Sequence, residues 1–90
     1  MQELYLEVTF RHGQPLAAYL YLPRQGDAKS NQVKKHGPGL LVDLDKDGCP
    51  IGIEIAIPAL GTAEAVNEVL ASYSIEPIDS AELAPLRQAA

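Results

Sequence analysis

Alternating apolar and polar side chains predict two adjoining strands at the start of the chain. The apolar residues of 4–10 occupy every second position, namely Leu4, Leu6, Val8 and Phe10. This period of two is typical of a half-buried strand. Glycine and proline in residues 12–15 predict a turn, and the alternation resumes in a second strand over residues 17–22. The two segments together predict a β-hairpin.

Three tyrosines fall on the polar side of this hairpin. Tyr5 shares the polar side of the first strand with Glu7. Tyr19 and Tyr21 alternate with the apolar residues of the second strand and point toward the same side as Tyr5. Tyrosine is common at protein interfaces because it joins a large apolar ring to a polar tip. The three rings are therefore candidates for an interface, and the alternative is that a helix of the same chain covers them.

The middle of the chain predicts three further strands. A polar loop over residues 24–31 leads to a short strand over 32–36, and a breaker of glycine and proline follows at residues 37–39. Residues 40–45 then alternate, and Asp47 and Gly48 predict a hairpin turn. Isoleucine occupies every second position of residues 51–57, which predicts the fifth strand.

The last third of the chain predicts helix. Thr62 is a suitable N-cap for a helix over residues 63–73, and a capping box at residues 79–82 predicts a second, short helix that Pro85 limits. We therefore predict an α+β fold. One antiparallel sheet of four or five strands is packed by a C-terminal helix, a second short helix follows, and residues 1–90 form a single domain.

The composition is that of an ordinary globular protein, with 47% hydrophobic and 21% charged residues. No apolar run is long enough to cross a bilayer, and the N-terminal residues lack the positive charge of a secretory signal. We expect a cytoplasmic location and no membrane partner.

The formal net charge of −5 disfavours nucleic acid as a partner, because an acidic surface repels a phosphate backbone. Residues 24–36 are locally basic, which is typical of a solvated loop or, alternatively, of a docking surface for an acidic partner. The rest of the chain is acidic and would attract a basic partner.

Residues 43–54 match the spacing of an EF-hand calcium loop. Its candidate metal ligands are Asp43, Asp45, Asp47 and Glu54. An EF-hand needs a helix on each side, whereas glycines and prolines flank this segment on both sides. We therefore interpret it as a β-hairpin with its acids in water. A divalent-cation site, or an enzyme site that depends on these carboxylates, is the alternative.

Other reactive side chains give no second candidate site. Cys49 is the only cysteine, so the monomer has no internal disulfide, and we expect it to be a half-buried residue beside the turn. His12 and His36 adjoin glycine-containing turns, where exposed loop residues are expected. We assign no catalytic residue and no cofactor.

The Asp-rich turn followed by Gly-Ile-Glu resembles the signature of the YuzE-like family, small bacterial proteins that contain a domain of unknown function. The residues that carry the resemblance are Asp43, Asp45, Gly48, Gly52, Ile53 and Glu54. A second likeness lies in Val8-Thr9-Phe10 and Ala18-Tyr19-Leu20-Tyr21-Leu22, although this chain has Arg11 and Ala17 where members commonly carry acids. The resemblance implies a compact sheet with a C-terminal helix and brings no established activity.

The signature residues also have a structural interpretation. Gly48 permits positive φ at the turn, and Gly52 in mid-strand predicts a bulge or the close approach of another backbone or ring. Glu54 either faces solvent or pairs with a cation such as Arg11 or Lys46. We expect a non-catalytic domain that acts as a protein-interaction module or as a small homo-oligomer.

Overall fold

The computed structural model describes residues 4–23 and 29–87, which form an α+β fold. Within these residues the strands are β1 (Tyr5–Arg11), β2 (Gln14–Tyr21), β3 (Gln32–Lys35), β4 (Leu40–Leu44) and β5 (Pro50–Ile55). A 3-10 turn (Pro58–Leu60), the helix α1 (Ala63–Ser72) and a C-terminal 3-10 helix (Ser80–Arg87) follow. The predicted fold class is confirmed.

The five strands form one antiparallel sheet in the order β1-β2-β5-β4-β3. Two hairpins, β1-β2 and β4-β5, lie side by side through the pairing of β2 with β5. β1 and β3 are the two edges of the sheet.

The first hairpin turns more tightly than its sequence predicts. His12 and Gly13 have positive φ angles of 53° and 77°, and Pro15 lies within β2 opposite Phe10. The prediction that Pro15 belongs to the turn is therefore wrong. β2 pairs with β5 only from Ala18 onward, so the missing amide hydrogen of Pro15 falls where β2 has a single neighbour.

The second hairpin turns between β4 and β5 at Gly48, whose φ is 81°. The carboxylate of Asp45 accepts hydrogen bonds from the amides of Asp47, at 2.8 Å, and Cys49, at 2.9 Å. The ladder pairs Asp43 with Gly52 but Leu44 with Pro50, which leaves one extra residue in β5. β5 ends before Ile57, which was predicted to belong to it and is exposed.

Both C-terminal helices pack on one face of the sheet, where the leucine, valine and isoleucine side chains of β2, β4 and β5 lie. Thr62 caps α1 by accepting a hydrogen bond from the Ala65 amide at 3.1 Å. The buried core residues from the helices are Val66, Val69, Leu70, Leu83 and Leu86. The helices therefore cover the face opposite the tyrosines.

The C-terminal 3-10 helix continues beyond Pro85, which was expected to limit it. Leu83 and Leu86 anchor it in the core on either side of the proline. The Arg87 guanidinium donates hydrogen bonds to the carbonyl oxygens of Pro58, at 3.1 Å, and Gly61. These contacts hold the last turn of the 3-10 helix in place.

Several predicted features lie outside the described residues. Arg24, Gly26 and Asp27 of the polar loop are among them, as are the last three residues of the chain. Within the described residues, every helix is too short or too polar to cross a membrane.

Candidate functional site

No helix or loop among residues 4–23 and 29–87 covers the face of the sheet opposite the helices, and we call this face the outer face. Successive side chains of a strand point to opposite faces, so the residues between the core positions define it. Its members are Tyr5, Glu7, Thr9, Arg11, Ala17, Tyr19, Tyr21, Val33, Lys35, Leu41, Asp43, Gly52 and Glu54.

The strand register arranges these residues in two rows across the sheet. One row runs Tyr5, Tyr21, Gly52, Asp43, Val33, and the next runs Glu7, Tyr19, Glu54, Leu41, Lys35. The three predicted interface tyrosines therefore lie together at the β1-β2 end of the face. Two of the predicted metal ligands, Asp43 and Glu54, lie next to them.

The three tyrosine rings form one cluster. The rings of Tyr19 and Tyr21 meet edge to face with centroids 4.7 Å apart, and those of Tyr5 and Tyr21 are 5.4 Å apart. Both distances lie in the range of attractive aromatic pairs. Tyr5 is 49% exposed and Tyr19 and Tyr21 are half-buried, so the cluster presents part of its aromatic surface to solvent.

The ring of Tyr19 lies directly over Gly52. A side-chain carbon added to Gly52 would overlap the Tyr19 ring, so only glycine leaves room for it. The ring passes over β5, and its hydroxyl donates a hydrogen bond of 2.6 Å to the carboxylate of Asp43. Tyr19, Gly52 and Asp43 thus form one packed unit across three strands.

The remaining carboxylates of the outer face differ in their partners. Glu7 accepts a hydrogen bond from the Tyr21 hydroxyl at 3.2 Å. Glu54 is exposed between the flanking core isoleucines of β5. The face therefore combines aromatic rings with negative charge.

The four carboxylates that match a calcium loop are divided between the face and the turn. Asp43 bonds to Tyr19, Asp45 accepts turn amides, Asp47 is exposed within the turn, and Glu54 is exposed on β5. Among the described residues, no three His, Cys, Asp or Glu side chains form a group that could hold a metal ion.

Two side chains outside the outer face differ from their predictions. His36 is half-buried, and its Nε2 lies 2.8 Å from the Tyr73 hydroxyl, so the expectation of two exposed histidines holds for His12 alone. His36 borders an open groove of about 580 Å³ between the β3-β4 turn and α1. Cys49 is exposed where a half-buried residue was expected, because only its backbone takes part in the turn.

The part of the outer face contributed by β3 and by Leu41 of β4 was not predicted from the sequence. Val33, Lys35 and Leu41 extend the face beyond the tyrosines, and Val33 is 55% exposed. The alternation of β4 contains the signal for Leu41. The sequence of the short β3, Gln-Val-Lys-Lys, has no alternation of apolar and polar residues that could reveal which of them lie on the outer face.

Comparison with known proteins gives no match to this chain among protein-family models, curated proteins or solved structures. The function must therefore be inferred from the residues of the outer face and from the edges of the sheet.

Proposed function

We propose that this chain is a non-catalytic protein-interaction module that binds a basic segment of a partner protein on the outer face. The observation that carries the proposal is the composition of that uncovered surface. It places three tyrosine rings beside three carboxylates, on the side of the sheet away from both C-terminal helices.

The tyrosines favour a partner with cationic side chains. An arginine guanidinium stacks on the face of an aromatic ring and at the same time donates hydrogen bonds to a carboxylate. The outer face offers both groups next to each other, because the Tyr21 hydroxyl contacts Glu7 and the Tyr19 hydroxyl contacts Asp43.

The charges of the outer face point to the same class of partner. Asp43 and Glu54 lie on its inner strands β4 and β5, and Glu7 lies on β1, whereas the cations Arg11 and Lys35 are both confined to the edge strands β1 and β3. The whole chain adds to this field with a net charge of −5. Such a surface accelerates encounter with a basic protein and repels nucleic acid.

The outer face is also ordered before any partner binds. Two hydrogen bonds and two aromatic contacts fix the orientation of Tyr19 and Tyr21. Side chains that are already fixed lose less conformational entropy on association, which favours affinity.

Membership of the YuzE-like family is part of the proposal. Its support is that both segments of the resemblance meet on the outer face, where Tyr19 of the first segment contacts Asp43 and Gly52 of the second. Of the signature residues, Asp43, Gly52 and Glu54 then belong to the outer face, whereas Ile53 lies in the core and Asp45 and Gly48 form the turn.

The alternatives of a cation site or a carboxylate-dependent enzyme site have less support. The four carboxylates are divided between the outer face and the turn, and among the described residues they form no group that could hold a metal ion.

Affinity capture from the native host at low salt tests the proposal, with the wild-type chain and Glu54→Lys as baits. Glu54 is exposed, so its replacement reverses one charge of the outer face without entering the core. We expect the wild type to capture a protein of basic isoelectric point. Glu54→Lys should weaken that complex about tenfold or more, and added salt should weaken it further.

Glu76→Lys is the matched control, because it makes the same change of net charge at an exposed position between the two C-terminal helices. This bait should retain the partner. Equal capture by Glu54→Lys and the wild type would contradict the proposal, and so would an acidic partner.

A further inference from the structure

We infer that β1 pairs with β1 of a second copy of this chain, so that two sheets join edge to edge in a symmetric dimer. β1 pairs with only one strand, β2, among the described residues, and a dimer formed at its other side does not depend on the proposed partner. Such a dimer forms through the backbone of β1, whereas the proposed function uses the side chains of the outer face.

The two edges of the sheet differ in their protection against such pairing. β3 has four residues, and Lys34 and Lys35 are two of them. Short length and lysine are the devices by which natural sheets keep an edge from pairing. β1 has seven residues with no lysine and no proline, so its outward amides and carbonyls form a usable template.

The inner side of β1 is incompletely covered. Core-facing residues of β2, β4 and β5 are buried, whereas Leu6 and Val8 of β1 are only partly buried and Phe10 is 46% exposed. A neighbouring strand at this edge would cover these side chains. The C-terminal 3-10 helix already reaches β1, so the apolar layer beneath a longer sheet would be continuous.

The sequence of β1 is complementary to itself when two copies run antiparallel. With the two-fold axis at Thr9, residues equally distant from it face each other across the copies. Glu7 then opposes Arg11 twice, and Val8 opposes Phe10 twice. Opposite charges, apolar pairs and a central threonine pair all stabilise antiparallel neighbours.

The irregularity in the first hairpin does not interrupt this edge. Thr9 pairs with Ala17 and Phe10 with Pro15, so the extra residue, Leu16, lies in β2. β1 therefore keeps its alternation, with Glu7, Thr9 and Arg11 on the outer face. A C2 dimer of this kind is closed on itself and does not propagate into a fibre, because both copies use the β1 edge and the other described edge, β3, is short and carries lysines.

Light scattering of the purified chain over a range of concentrations tests the inference. We expect a dimer for the wild type. Glu7→Arg places like charges opposite each other at two positions, and Thr9→Lys does so at the axis, so each should raise the dissociation constant about tenfold or more. Both positions are exposed, and circular dichroism checks that each variant keeps its fold.

A charge swap tests the register itself. The double variant Glu7→Arg with Arg11→Glu restores opposite charges at both positions and should recover the wild-type dissociation constant. Lys34→Glu on the other edge should leave the dimer unchanged. A monomeric wild type, a dimer that persists in Glu7→Arg and Thr9→Lys, or a double variant as weak as Glu7→Arg would overturn the inference.

Discussion

Tyr19 connects the two hairpins at the level of single residues. Its ring needs the empty space above Gly52, and its hydroxyl needs the carboxylate of Asp43 on the next strand. A glycine inside a strand ordinarily weakens it. Here the missing side chain allows an aromatic contact that joins β2, β5 and β4, which explains why glycine stands in a run of isoleucines.

Gly52→Ala should destabilise the protein by about 1–3 kcal/mol, since the new methyl group displaces the Tyr19 ring and separates its hydroxyl from Asp43. Urea unfolding monitored by circular dichroism measures the change in the free energy of unfolding. A double-mutant cycle supplies the control. In a Tyr19→Ala background the cost of Gly52→Ala should largely disappear, and an unchanged cost would show that the ring is not the reason for the glycine.

At the scale of secondary-structure elements, Asn67 attaches the chain after α1 to the helix itself. Its side chain accepts a hydrogen bond from the Ile78 amide at 2.7 Å and donates one to the Ile78 carbonyl at 3.1 Å. These bonds position the segment between the helices, so that the C-terminal 3-10 helix returns across the sheet.

Asn67→Ala should lower the free energy of unfolding by about 1–3 kcal/mol, because it leaves two backbone groups of Ile78 without their partners. Thermal and urea unfolding measure the loss. Glu68→Ala is the matched control on the same helix, where an exposed side chain is removed and a change within about 0.5 kcal/mol is expected. Equal effects of the two substitutions would contradict the role given to Asn67.

The elements could largely be predicted from the sequence because their hydrophobic patterns are strong. Alternation identifies β1, β4 and β5, and Thr62 marks the start of α1 where the structure places it. The position of Pro15 and the length of the last helix could not be predicted. Both depend on contacts between distant parts of the chain. Pro15 fits into β2 because β2 pairs only with β1 at that point, and the last helix continues past Pro85 because Arg87 bonds to the Pro58 carbonyl.

The candidate site was less predictable than the fold. The alternation places Tyr5, Tyr19 and Tyr21 on one side, but it does not show which side the helices cover. The order of the strands brings Asp43 to Tyr19, and strand order cannot be read from a local pattern. The same strand order places Val33 and Lys35 of β3 on the outer face.

At the scale of the whole molecule, the described helices form one layer on a five-stranded sheet, and no other described segment covers the opposite sheet face. Such a face is usually polar in antiparallel sheets. Here it carries aromatic rings and acids, and the sheet ends at one protected and one unprotected edge. The molecule therefore offers two distinct surfaces, a face for a basic partner and an edge for a second copy.

The four tyrosines allow the docking claim to be tested in one titration. Three of them lie on the outer face, and Tyr73 lies on the helix side, where its hydroxyl meets His36. Chain labelled at tyrosine is titrated with the partner protein identified by affinity capture, and the ring resonances are followed by NMR. We expect shifts for Tyr5, Tyr19 and Tyr21 while Tyr73 stays unchanged. Shifts of Tyr73 without shifts of the other three would contradict docking on the outer face.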